Sequence, residues 1–120
     1  MKQVIIQLIQ LQLVAKLVHW NPTNKGELGS GQEHEVTGEL YDYLSDKIDN
    51  LVETYQGENG LLEIAIPSTK KMDLIPTIKM VCNTLENCDK SNDCKPYMLN
   101  QIQEIEAELY KVKFKLINLK

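Results

Sequence analysis

The sequence contains no arginine; its 13 basic residues are all lysine and stand against 17 acidic ones, for a formal charge of -4. Without guanidinium forks, bidentate recognition of phosphate or guanine is missing. An acidic chain also has little to offer a polyanion, so nucleic acid is not an expected partner. Cysteine is scarce: Cys82, Cys88 and Cys94 are odd in number and form no Cys-x-x-Cys pair, which argues against a zinc site of that kind. Reduced thiols in a cytoplasmic protein are the expectation, with a Cys88–Cys94 bridge across a loop as the alternative. Long apolar runs are missing too. The stretch from Met1 to Trp20 opens with Lys2 like a secretory leader, but Gln3, Gln7, Gln10 and Gln12 interrupt it and Lys16 closes it. A membrane span needs about 20 mostly apolar residues, so a buried helix is predicted there and no membrane association.

What the chain does have is ordinary globular composition, 42% hydrophobic and 25% charged over 120 residues, enough for a single domain spanning residues 1–120. Its core would be thin, so oligomerisation would help it. Four helical segments stand out. The first runs from about Lys2 to Trp20, apolar over so wide an arc that it should be central, and Asn21-Pro22 stops it. A loop rich in Asn, Gly and Ser covers Asn21 to Gln32. The second helix spans roughly Glu33 to Tyr55, with Leu40, Leu44, Ile48, Leu51 and Val52 as its core stripe and Gly57 as its C-terminal cap.

Glu58 to Lys71 reads as a connection of coil or one short helical turn, with the apolar run Leu61–Ile66 closed by Pro67. The third helix covers about Leu74 to Glu86, with Pro76 in its first turn, and Asp89 to Cys94 form a polar turn. The fourth opens at Pro96 and ends near Asn118, its stripe formed by Leu99, Ile102, Ile105, Leu109, Val112 and Leu116. The pattern predicts an all-α four-helix bundle with a longer connection between helices two and three.

The candidate chemistry lies in helices one and two. His19 and His34, the two histidines of the chain, sit at the end of the first and the start of the second. As antiparallel neighbours these helices bring both imidazoles to one end of the bundle. Asp49 and Glu53, spaced i, i+4, share a face further along helix two. Two imidazoles and two carboxylates suit iron, zinc or manganese. Yet His34 and Asp49 are about 22 Å apart at 1.5 Å per residue, too far for one metal within one chain. If they cooperate, they come from two copies whose second helices run antiparallel across a two-fold axis, which makes two identical sites. Gly38 and Ser45, on the same face, are small enough to admit a neighbouring helix.

The run His19-Trp20-Asn21, then His34, then Asp49 with Glu53 four residues on, resembles the motif of the Dps branch (DNA protection during starvation) of the ferritin-like superfamily. The resemblance implies a ferritin-like bundle with a ferroxidase centre between two-fold-related subunits. In that centre His19, His34, Asp49 and Glu53 would be the iron ligands, and Trp20 the adjacent aromatic that intercepts oxidising equivalents. The substrate would be Fe2+, oxidised to Fe3+ by peroxide or oxygen, with Zn2+ or Mn2+ as other ions the set can take. A homo-oligomer built on a two-fold dimer, up to a dodecamer, is implied.

The Tyr55-Gln56-Gly57 ending and the short chain look closer to bacteriophage-encoded members, hence the cytoplasm of a bacterial or phage-infected cell. No basic tail is present, so DNA binding is not carried over, and the Glu-x-x-His of larger di-iron bundles is missing. The rival expectation is a catalytically inactive interaction module that binds a host factor or small ligand.

Overall fold

The computed structural model describes residues 1–21, 30–65, 67–91 and 93–118. Its helices are α1 (Lys2–Trp20), α2 (Ser30–Asn59), α3 (Leu74–Lys90) and α4 (Pro96–Asn118). Helix α2 is longer at both ends than its apolar stripe predicts, and α3 continues through Lys90, into the predicted polar turn. Most of the loop predicted over Asn21–Gln32, including the Pro22 expected to stop the first helix, lies outside the described residues, as do Ile66, Asn92, Leu119 and Lys120.

The helices stand at the corners of a bundle in which α1 and α4 each pack against α2 and α3, leaving α1–α4 and α2–α3 across the diagonals. Contacts between α2 and α4 run in opposite numerical order. The Lys47 ammonium meets Glu104 at 2.8 Å, Gln101 donates to Thr54, and the Tyr97 hydroxyl donates to Glu58. Those two helices are therefore antiparallel. Met1, which caps α1, and Val4 in its first turn share a cavity with Thr84 and Cys88 near the end of α3, so that pair is antiparallel as well. With the α1–α2 and α3–α4 hairpins, every adjacent pair is antiparallel and the diagonal helices α2 and α3 point the same way.

This arrangement forces residues 60–73 to travel back along the molecule. The 17 residues of α3 measure about 25 Å as a helix, whereas an extended chain covers about 3.3 Å per residue, so the connection has reach to spare. It leaves α2 through Gly60, whose φ of +88° is the left-handed conformation that glycine adopts freely. The Gly60 N–H donates to the Gln56 carbonyl at 2.9 Å, and the Leu62 N–H to the Gln56 side chain at 3.0 Å. Gly57, expected as the cap, lies inside the helix instead. Farther on, Gln10 of α1 donates to the Ser68 carbonyl at 3.0 Å, tying the crossover to the outside of the bundle. No helical turn forms among its described residues.

The core collects one stripe from each helix: Ile5, Leu8 and Leu11; Leu40, Leu44 and Leu51; Ile78, Val81 and Leu85; Ile102, Ile105 and Leu109. On α4 the stripe begins at the buried Met98 and not at Leu99, which is half-buried. Helix α1 is a corner helix and not a central one. Having two neighbours, it cannot cover its whole apolar arc, and Leu17 stays 53% exposed with Ile6 and Leu13 half-buried on the same outer side. Among the described residues no helix is long and apolar enough to cross a membrane.

Candidate functional site

The α1–α2 hairpin brings its two histidines into direct contact. The rings of His19 and His34 stack with centroids 3.8 Å apart and planes 16° from parallel. Each Nδ1 lies against the backbone carbonyl of the other residue, His19 to His34 at 2.6 Å and His34 to His19 at 2.7 Å. A carbonyl only accepts, so each Nδ1 carries the proton and donates it. In the neutral ring the lone pair then resides on Nε2. Among the described residues neither Nε2 has a hydrogen-bond partner. A metal-binding imidazole is oriented in the same way, with one nitrogen tied to a carbonyl and the other open.

Gly38 makes the clasp sterically feasible. A Cβ at that position would stand 2.8 Å from His19 Cε1 and 2.9 Å from His19 Nδ1. The space expected to admit a helix of a second copy is thus filled by an imidazole of the same chain. Around the clasp, the Tyr41 ring meets His19 edge-on at 5.3 Å, and the Lys16 ammonium lies 5.3 Å from the Trp20 ring centre and 5.6 Å from that of Tyr41. Trp20 itself is 64% exposed beside His19. Lys16 sits one turn before the His-Trp pair and Tyr41 one turn beyond Gly38, so helical spacing was the signal that could have added both to the site.

Asp49 and Glu53 are held elsewhere. Both are exposed on α2 and edge an open groove of about 450 Å³ whose floor is Ile5, Ile9, Ile48 and Val52. Asp49 follows His34 by fifteen positions on one helix, so one chain does not bring the imidazoles and carboxylates together. No group of three or more His, Cys, Asp or Glu placed to hold a metal occurs among the described residues.

The opposite end of the bundle holds a second cluster. Cys88, in the last turn of α3, and Cys94, just before α4, have their Sγ atoms 3.3 Å apart as free thiols. Burial pushes the Cys88 thiol up to about 11, with the Cys94 hydrogen bond and charge adding to it. Cys82 is enclosed in the core, and its thiol is also pushed up to about 11, first by burial and then by Glu106. Sequence spacing left the Cys88–Cys94 contact open; the close turn between antiparallel α3 and α4 creates it.

Fold and site together define an all-helical four-helix bundle with a stacked-histidine clasp at one end and a thiol pair at the other. The chain belongs to a family of unknown function (DUF5856), whose model matches residues 30–116. That match takes in α2 to α4, with His34, Asp49, Glu53 and the cysteines, and begins after His19 and Trp20. No curated protein and no solved structure matches the chain.

Proposed function

We propose that the chain is a ferritin-like protein of the Dps branch that oxidises Fe2+ at a centre shared by two copies related by a two-fold axis. The observation that carries this reading is the clasp. Two stacked imidazoles each tie Nδ1 to the other residue's carbonyl and leave Nε2 open, at the His-Trp position where the resemblance expects ligands. The topology supports it as well: ferritin-like bundles have one long crossover, and the single crossover here joins the diagonal pair α2 and α3. The apolar groove edged by Asp49 and Glu53, and the outer side of α1 with Leu17 exposed, supply a surface for the second copy.

On this reading Fe2+ is the substrate. The His34 and His19 Nε2 atoms offer borderline nitrogen donors that suit Fe2+, and the partner's carboxylates offer hard oxygens and negative charge that favour Fe3+. One hydrogen peroxide takes one electron from each of two Fe2+ ions and two protons from solvent, leaving two Fe3+ and two waters. Trp20, exposed beside the clasp, would be the aromatic that is oxidised in place of the ligands. Zn2+ or Mn2+ would compete for the same donors.

The test follows Fe2+ oxidation by absorbance with peroxide and with air, for wild type beside Asp49→Ala/Glu53→Ala. Rapid oxidation lost in the double variant is the expected result. Rates equal to the protein-free control for both would remove catalysis. The second reading, a non-enzymatic interaction module, is favoured by the stripe Tyr110, Phe114 and Ile117, which leaves three large apolar side chains exposed on α4. In that case Asp49→Ala/Glu53→Ala alters self-association and leaves iron oxidation at background.

A further inference from the structure

We propose that the cavity at the thiol end of the bundle is a binding site for a soft monovalent cation, Cu(I), held by the Cys88 and Cys94 sulfurs with the Met98 thioether as third donor. The chain has three cysteines and four methionines. Four of these seven sulfur residues, Met1, Cys88, Cys94 and Met98, line a single cavity of about 400 Å³. Such a concentration of sulfur is chemically selective: thiolate and thioether donors favour Cu(I), whereas Mg2+, Ca2+ and Mn2+ prefer oxygen. Both imidazoles of the chain are committed at the other end. Glu58, on the wall of the cavity, already accepts the Tyr97 hydroxyl at 2.7 Å.

The spacing of the thiols fits a bridging ion better than a covalent bond. Their sulfurs are 3.3 Å apart. A disulfide requires closure to about 2.05 Å, more than an ångström of approach. Two metal–sulfur bonds of about 2.3 Å (the zinc value) at trigonal or tetrahedral angles set the sulfurs roughly 3.8–4.0 Å apart, an opening of about half an ångström. The supports suit that adjustment. Cys88 is anchored in α3 and Met98 in the first turn of α4, while Cys94 sits on the short link between them, outside both helices. Each thiol that binds gives its proton to solvent, so uptake should release about two protons per ion.

The experiment uses the full chain, reduced and desalted under anaerobic conditions, with Cu(I) delivered as its acetonitrile complex against the chromophoric chelator bathocuproine disulfonate. Wild type and Cys82→Ser should each retain one Cu(I), show thiolate-to-copper charge-transfer absorption and release the protons. Cys88→Ser/Cys94→Ser should weaken binding by roughly a hundredfold or more, and the volume-conserving Met98→Leu by about tenfold, with helical circular dichroism unchanged in both. His19→Ala/His34→Ala should bind as wild type, which separates this site from the proposed iron centre.

Three results would each overturn the assignment. Wild type could surrender copper to the chelator as readily as the double variant. Cys82→Ser or the histidine variant could lose copper equally. Zn2+ could be retained in preference to Cu(I).

Discussion

At the residue scale, the sharpest dependence in the molecule is that of His19 on Gly38. Glycine within a helix costs about 1 kcal/mol relative to alanine, so Gly38→Ala alone should look like an improvement. The added Cβ, however, would stand 2.8 Å from the His19 ring and drive it out of its stack. The hydrogen bond from His19 Nδ1, worth about 0.5–1.5 kcal/mol, and the ring contacts with His34 and Tyr41, worth about as much again, go with the ring, which outweighs the gain in helix propensity. Gly38→Ala should therefore destabilise the wild type by about 1 kcal/mol. In a His19→Ala background the obstacle is gone, and the same change should stabilise by about 1 kcal/mol. Urea midpoints for the four proteins decide the matter, and the same sign in both backgrounds would mean that the clasp does not rest on Gly38.

The core thiol gives a second test at this scale. Cys82 is pushed up from 9.0 to about 11 and Tyr43 from 10.0 to about 12, both mainly by burial. Below pH 9 these groups are protonated in both states and their share of stability is whole. Above it the unfolded chain ionises first, so stability falls as pH rises through the folded-state values. For Cys82 the loss reaches at most about 3 kcal/mol; Tyr43, partly exposed, contributes less. Stability of Cys82→Ala, measured by urea from pH 8 to pH 11, should fall less steeply than that of the wild type. Parallel curves would rule out Cys82 as a source of the alkaline loss.

At the element scale the two glycines near the end of α2 have opposite roles. Gly57 is helical, exposed and has no atom within 4 Å of a built Cβ, so Gly57→Ala should stabilise by about 0.5–1 kcal/mol through propensity alone. Gly60 is equally uncrowded but has φ +88°, and Gly60→Ala should cost about 1–2 kcal/mol in backbone strain. Thermal melts of the two variants should move in opposite directions; a shared direction would misplace the end of the helix. This pair also shows what was legible in the sequence. The four helices were readable because each carries an apolar stripe at spacings of three and four, and the meeting of His19 with His34 followed from a hairpin. Which of two nearby glycines turns the chain was not readable, because both follow the same polar run and only the backbone angle separates them. The exposed side of α1 was not readable either. Its apolar arc says that it wants cover, and only the corner position shows how little of that cover comes from its own chain. The sulfur-lined cavity escaped for a related reason, since it is assembled from the ends of all four helices.

At the scale of the whole molecule, the spacing along α2 becomes a statement about copies. His34 and Asp49 lie about 22 Å apart on one helix, so a centre using both needs two chains, and a two-fold axis then makes two centres. Complementation tests this directly. His34→Ala spoils the imidazole half of both centres in its own dimer, and Asp49→Ala spoils the carboxylate half, so each variant alone should oxidise Fe2+ at the background rate. In a mixed dimer, one centre takes His34 from the Asp49→Ala chain and Asp49 from the His34→Ala chain, and is intact. The other centre carries both defects. If equal amounts are unfolded and refolded together and pair at random, half of the dimers are mixed and each has one working centre. The mixture should then recover about a quarter of the wild-type rate, although neither component has any. Recovery without refolding, by simple mixing, would add that the copies exchange. A mixture as inactive as its parts, while wild type treated identically is active, would place the imidazoles and carboxylates in separate roles. The clasp would then be a structural device that locks the α1–α2 hairpin, and the carboxylate-edged groove would be a contact surface.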